Sequence, residues 1–260
     1  MMPLLKKILG CRRVAGDFPF FQTDRGSFFV KRGDPAALAA EARGLKEIGC
    51  YLRVPEVFAC QEGFLVLEAL DLRPHTDKTW AELGEGLAKM HLEARGKFFG
   101  WPEDNWIGLT PQVNEEVEDW VGFFVDKRLR FQLSFLKQDK ELQNLGEKFC
   151  EKFPEFFRGL KLFPSLLHGD LWHGNTGVSG EGGVVFDPAC YFGHHEAEFG
   201  MIELFGGFAR PFFDSYRDQV PKDECFEERL VGYKLYHALN HYNLFGAGYR
   251  TLCISLLESI

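Results

Sequence analysis

The stretch LLHGDLWHGNTGVSGEGGVVFDP, residues 166–188, holds two short apolar runs, each ending in polar groups that packing alone does not require. Leu166-Leu167 delivers His168, Gly169 and Asp170, and Val184-Val185-Phe186 delivers Asp187 and Pro188. A polar, glycine-rich turn between them carries Asn175. The pattern predicts two strands that present carboxylates and a carboxamide to one spot. Spacings of five from Asp170 to Asn175 and twelve from Asn175 to Asp187 suit a hairpin that gathers all three.

Phosphoryl transfer needs such a set: a base to hold the attacking hydroxyl and take its proton, and oxygen ligands to hold Mg²⁺ against nucleotide phosphates. Asp170 is the candidate base; Asn175 and Asp187 are the candidate metal ligands. The order His-Gly-Asp, then Asn, then a strand-end Asp parallels the H-R-D-x-x-x-x-N and D-F-G elements of protein kinases, with Asp-Pro standing for D-F-G. Singly, each residue has a plainer reading as a turn former or a strand end before proline. Together, in this order and behind His168 and Gly169, they favour the catalytic one.

A chain of 260 residues can bury a large core, either as two lobes around a cleft or as one domain. Its 45% apolar content, with 27 Phe, places it among folded proteins. A net charge of −8 argues against a general polyanion binder, so no nucleic-acid partner is expected. The seven cysteines are odd in number and include no C-x-x-C, which points away from a disulfide framework or zinc knuckle and toward a reducing, cytoplasmic setting. No stretch approaches a membrane span, and Lys6 and Lys7 interrupt the apolar start before a secretory signal can form. No membrane partner is expected.

Toward the N-terminus, residues 1–13 read as an amphipathic lead-in with Leu4, Leu5, Ile8 and Leu9 on one side. Val14 to Asp17, an aromatic run, the turn Thr23 to Gly26 and the strand Ser27 to Arg32 predict a β-hairpin. Lys31 ends that strand, where a lysine either reaches nucleotide phosphates or guards a sheet edge. Asp34-Pro35 opens a helix over 36–48, whose Glu41 either pairs with Lys31 or lies on a solvated face. Val54 to Val57 and Phe64 to Leu70 read as two more strands; Glu68, Ala69 and Leu70 are placed to offer backbone groups to an adenine ring. Rising polarity over 71–75 marks a domain boundary.

Beyond it, Thr79 with Glu82 reads as a capping box for a helix to about Ala94, with Trp80, Leu83, Leu87, Met90 and Ala94 as its core stripe. Residues 100–112, GWPEDNWIGLTPQ, lack periodicity and predict a structured loop of the kind that lines sites. Helices are expected over 119–137, 141–153, 199–208, from Pro211, and over 225–245. Adjacent His194 and His195 with Glu196 lack the spacing of a metal pair on one helix face.

With these residues assembled, the chain resembles the fructosamine/ketosamine kinase family, a branch of the aminoglycoside-phosphotransferase and protein-kinase-like fold. FFVKR, AEARGL, VPEVF, FLVLEALDL, GLAKMH, GWPEDNWIGLTPQ, LLHGDLWHGN, VVFDPACYFGHHEAEFGMIELFGGF and YKLYHALNHYNLFGAGY carry the likeness from about residue 14 to 250. The resemblance implies ATP-dependent, Mg²⁺-assisted phosphorylation of the 3-hydroxyl of ketosamines such as fructosamines or ribulosamines, free or on glycated proteins. The unstable product releases the amine, so the activity resembles a repair step. Lys31 matches the phosphate lysine and Glu41 its helix partner; Asp170 matches the base, and Asn175 and Asp187 the metal ligands. One departure stands out. Where relatives carry a glycine-rich turn, this chain has Val14-Ala15-Gly16-Asp17 followed by Phe18-Pro19-Phe20-Phe21, which offers fewer close backbone amides to phosphate.

The expected fold is α+β, two-lobed and protein-kinase-like. Residues 1–70 form a nucleotide-binding lobe of antiparallel sheet with one main helix, and residues 71–260 form a larger, mostly helical catalytic and substrate lobe. Monomer and homodimer both fit. Two other functions fit the same residues: a kinase for another small hydroxylated molecule, such as an aminoglycoside or sugar, and a non-catalytic kinase-like binding module. Trp101, Trp106 and Trp172 either border the acceptor pocket or pack in the core.

Overall fold

The computed structural model describes residues 2–61, 63–180 and 182–260. Helix α1 (Met2–Leu9) buries Leu5 and Leu9 against the first strands; the Leu4 side chain lies outside the described residues. Strands β1 (Val14–Asp17), β2 (Phe20–Thr23) and β3 (Gly26–Arg32) are followed by α2 (Pro35–Ile48), β4 (Val57–Gln61) and β5 (Phe64–Glu68). The five strands make one antiparallel sheet in the order β1-β2-β3-β5-β4. Asp24, in the turn before β3, accepts the Arg12 and Arg13 amides at 2.9 and 3.0 Å and so ties the segment after α1 to the sheet.

Side chains alternate across a strand, and this decides where the sheet's lysine goes. Phe28 and Val30 of β3 join Leu5, Leu9 and Val66 on one face. Phe29 packs on the other with Leu65, Leu67 and the α2 residues Leu38 and Leu45, so Lys31 falls on the face that α2 covers. The strand expected over 54–57 begins only at Val57, because Pro55 lacks the N–H that a ladder requires.

Helix α3 (Asp77–Glu93) is capped by Thr76, three residues before the expected cap: Thr76 accepts from the Thr79 amide and the Thr79 hydroxyl accepts from the Thr76 amide. The expected loop over 100–112 contains a small hairpin, β6 (Asn105–Ile107) with β7 (Thr110–Gln112). The expected aromatic helix runs as α4 (Trp120–Phe124), a π-helical segment over Val125–Arg130 and α5 (Phe131–Ser134), followed by α6 (Lys140–Lys152).

The two apolar runs of the 166–188 stretch do form strands, but they do not pair with each other. β8 (Ser165–Leu167) pairs with β11 (Tyr191–Gly193), and the hairpin of β9 (Thr176–Ser179) and β10 (Gly182–Val185) is inserted between them. Helices α7 (Glu198–Phe205), α8 (Arg210–Gln219), α9 (Phe226–Phe245) and the unanticipated α10 (Arg250–Glu258) complete the chain. α9 packs Tyr233 and Tyr236 against Phe124, with Tyr233 also meeting Trp120 and Phe153. Among the described residues no helix is long and apolar enough to cross a membrane.

Inside this core Arg229 donates to both Glu196 carboxylate oxygens at 2.6 and 2.8 Å and to the carbonyls of Phe156 and Glu224. Removing one partner would leave a buried charge without compensation. Glu196→Ala is therefore expected to cost about 3–5 kcal/mol in chemical denaturation; a loss under 1 kcal/mol would show that Arg229 finds solvent.

Candidate active site

The loop after β8 is held by side chains rather than by a ladder. The backbone amides of His168 and Gly169 donate to the two oxygens of Glu198 at 2.6 and 3.0 Å. Burial pushes that carboxylate upward, yet His91, with Nε2 3.5 Å away, and the hydrogen bonds it accepts hold it below the usual range. Gly169 has φ +80°, and a Cβ there would stand 2.1 Å from the Ala189 carbonyl oxygen, so only glycine fits. His168 lies 3.1 Å from the Phe186 carbonyl through Nε2, which must carry the proton; Nδ1 then accepts the Asp170 amide at 3.3 Å. Burial depresses its pKa, so the ring is a neutral brace between the two strand ends.

Asp170 projects from this loop. Its Oδ2 and its carbonyl accept from Asn175 Nδ2 at 3.2 and 2.9 Å, while Oδ1 is buried without a partner among the described residues. Burial raises its pKa to about 8; the Asn175 bond opposes the shift, and the charges of Asp187 and Glu198 add to it. Asp187, with φ +58°, ends β10's continuation and places Oδ1 2.5 Å from Lys31 Nζ. The same Nζ donates to Glu41 Oε1 at 2.7 Å. Burial disfavours the lysine's charge, but the two carboxylates outweigh it and raise its pKa; burial also raises that of Glu41 against the pull of Lys31. With two acids on one ammonium, the lysine is charged.

Lys31, Glu41, Asp170, Asn175 and Asp187 line one cavity of about 370 Å³. A second, apolar cavity of about 150 Å³ lies between Phe20, Phe29, Leu67, Leu70 and Phe186, with Glu68 and Asp187 on its wall. The Ala69 N–H is spent on the Ser27 carbonyl at 3.2 Å. The Glu68 side chain turns to Arg53, at 2.5 and 2.7 Å. A third cavity, about 490 Å³, is walled by Trp172, Phe205, His241, Phe245 and Tyr249 and shares Asp170 with the first. His241 sits among these rings, 4.7 Å from Phe205, 5.4 Å from Phe245 and 5.1 Å from Tyr249 between centroids.

The donor set suits a hard cation. Mg²⁺ takes oxygen ligands and is usually held by one or two carboxylates beside substrate phosphates. Asp187 has carboxylate oxygen to give and Asn175, whose nitrogen is committed to Asp170, has its carbonyl oxygen, while Asp170 Oδ1 is buried without a partner among the described residues. His194 and His195 do other work, meeting the hydroxyls of Tyr233 and Tyr216 at 2.9 and 3.3 Å in the core.

Of the tryptophans, Trp106 and Trp172 border the first cavity, whereas Trp101 is buried against Phe192 at 5.3 Å. In the first hairpin, Gly16 answers a local need: a Cβ would meet the Phe20 carbonyl oxygen at 2.7 Å. The turn residues there are Phe18 and Pro19, and the proline has no N–H to give. Glu198 and His241 escaped the sequence reading. An acid opening the apolar run FGMI was the available signal for the first; the second lay in a helix that reads as core.

The family model of fructosamine kinase matches residues 15–260. The chain is 42% identical over 253 residues to a chloroplastic protein-ribulosamine 3-kinase of Oryza sativa subsp. indica, covering 92% of this chain and 73% of that protein. It is 32% identical to the ketosamine-3-kinase of Mus musculus, covering 100% and 99%. Among solved structures, a candidate fructosamine-3-kinase of Thermobifida fusca YX-ER1 superposes with a TM-score of 0.89 at 29% identity, over 98% and 96% of the two chains. The choline kinase LicA of Streptococcus pneumoniae, at 15% identity and TM-score 0.66, shares the fold. A match running through the sheet, the loop after β8 and the closing helices assigns this α+β, kinase-like chain to the fructosamine kinase family.

Proposed function

We propose that this protein transfers the γ-phosphoryl group of ATP to the 3-hydroxyl of ketosamines of the fructosamine or ribulosamine type. One observation carries the reading: Asp170 stands on the wall common to the charged cavity and the aromatic one, where a donor and an acceptor would meet. The names of the ribulosamine and ketosamine kinases among its relatives support the acceptor class.

In this reading residues 1–70 bind the nucleotide and residues 71–260 supply catalysis and the acceptor pocket. The adenine occupies the apolar cavity, facing the Glu68 carbonyl and the Leu70 N–H. Lys31, oriented by Glu41, holds phosphate oxygens. Asp187 and Asn175 would hold Mg²⁺, with Asp170 alongside, and the ion would supply positive charge against the phosphates. Asp170 orients the acceptor hydroxyl and takes its proton as the new oxygen–phosphorus bond forms. The bond from the γ-phosphorus to its bridging oxygen breaks, and the electron pair leaves with ADP. Positioning and electrostatics supply most of the rate.

The amine side of the acceptor occupies the aromatic cavity. A ketosamine's secondary amine is protonated near neutral pH, and aromatic faces attract such a cation. His241 donates through Nδ1 to the His237 carbonyl at 2.9 Å, and burial lowers its pKa, so the ring is neutral with Nε2 as an acceptor. Free cysteines throughout support a reducing compartment, in our reading the cytoplasm, although the plant relatives are named chloroplastic.

Mass spectrometry of a synthetic ketosamine incubated with the protein and Mg²⁺-ATP should show one added phosphate. No addition, or addition to kanamycin in its place, overturns the assignment. Asp170→Asn should lower kcat by about 10²–10⁴. In metal-free buffer the same variant reports burial of the charge. A raised folded pKa means that the native state binds more protons than the unfolded chain between about pH 4 and 8, so wild-type stability falls as pH rises through that window. The melting temperature of Asp170→Asn relative to wild type should therefore increase from pH 5 to pH 9. His241→Ala should raise KM for the ketosamine about tenfold and leave KM for ATP unchanged; an equal rise in both would place the amine elsewhere.

A further inference from the structure

The β6–β7 hairpin carries polar side chains where a surface hairpin would have apolar ones. Asn105 is 4% exposed and Gln112 is 1% exposed. Asn105 Nδ2 donates to the Cys190 carbonyl at 2.7 Å, and Gln112 Nε2 donates to the Ala189 carbonyl at 3.1 Å and to Asn105 Oδ1 at 2.8 Å. Behind them, Asn114 Nδ2 donates to Asn105 Oδ1 at 2.8 Å, and Tyr236 donates its hydroxyl proton to Gln112 Oε1 at 2.9 Å. Arg128, 0% exposed, donates to Asn114 Oδ1 at 2.6 Å and to the Val113 carbonyl. It meets no carboxylate among the described residues; its guanidinium lies over Phe123 and Tyr191.

Every amide in this set has one consistent orientation. Donation runs from Arg128 through Asn114 to Asn105, and from Tyr236 through Gln112, and both lines end on the carbonyls of residues 189 and 190. Those residues follow Asp187-Pro188 directly and lie outside any strand. Pro188 has no N–H, and the backbone anchor of the segment is the Ala189 amide on the His168 carbonyl at 2.8 Å. A charge-fed, buried network is strengthened along its length. Here it substitutes for the missing ladder.

We propose that Asn105 and Gln112 are positioning residues that set Asp187 for the cation by gripping the backbone two and three residues beyond it. This rests on the reading of Asp187 as a metal ligand. Groups that orient a ligand residue typically govern metal affinity by 10–100-fold when removed. The same hairpin places Asn105 on the charged cavity and Ile107 and Gly108 on the aromatic one, so the grip also fixes the two cavities against each other.

Calorimetric titration of the full chain with a non-hydrolysable ATP analogue, in Mg²⁺ and in EDTA, tests this. Gln112→Met should weaken binding about tenfold in Mg²⁺ and match wild type in EDTA. Tyr236→Phe, which removes only the hydroxyl bracing Gln112, should shift binding the same way by less, and serves if Gln112→Met does not fold. Tyr233→Phe removes a comparable buried hydroxyl bonded to Trp120 and His194; it should lower the melting temperature and leave the Mg²⁺ gain intact. Equal losses in Mg²⁺ and EDTA, or no loss in Mg²⁺, overturn the proposal while the site reading stands. A wild-type chain that gains nothing from Mg²⁺ sinks the site reading, and this inference with it.

Discussion

A single buried carboxylate organises the loop that carries Asp170. Glu198 opens α7 and takes the amides of His168 and Gly169, so a segment with no strand partner has its donors satisfied. Those bonds require the positive φ of Gly169, which brings the loop's backbone against the Ala189 carbonyl. The close approach then joins the two segments that deliver Asp170 and Asp187. A sealed carboxylate is costly unless hydrogen-bonded. Backbone amides and His91 meet that cost while fixing geometry, and the loop needs no regular structure of its own.

The second constraint is Lys31. Its place on the α2 face of the sheet follows from strand alternation, and from there one ammonium reaches Glu41 ten residues away and Asp187 at a separation of 156. The bond to Asp187 joins the sheet to the mostly helical remainder. Arg53 adds a backbone bridge, its carbonyl accepting the Val185 amide at 2.9 Å. Partly exposed ion pairs contribute modestly to stability. The value of this one lies in aim, because it points a cation and a carboxylate at the same cavity.

Much of this was legible in the chain. Asp170 and Asp187 stood out because polar groups at the ends of apolar runs have no packing purpose, Asn175 because of its spacing from both, and Lys31 and Glu41 because a strand followed by a helix is written in local periodicity. What was misread had local mimics. Thr79 with Glu82 imitates a capping box, but the Thr76 hydroxyl reaches the amide first. The two apolar runs around Asn175 imitate one hairpin, but each found another partner. The β6–β7 hairpin was hidden because its inward face, Asn105, Ile107, Thr110 and Gln112, is mostly polar, the reverse of the usual sign.

The sequence by itself determined the kinds of element, the chemistry of the candidate groups and the family pattern, since spacing, capping and composition act over a few residues. Tertiary structure alone decided which strands pair, which carboxylate holds the loop, and how the charged and aromatic cavities come to share Asp170. Those outcomes depend on contacts between residues far apart in the chain, where burial and hydrogen-bond satisfaction choose among partners that look equivalent in a linear reading.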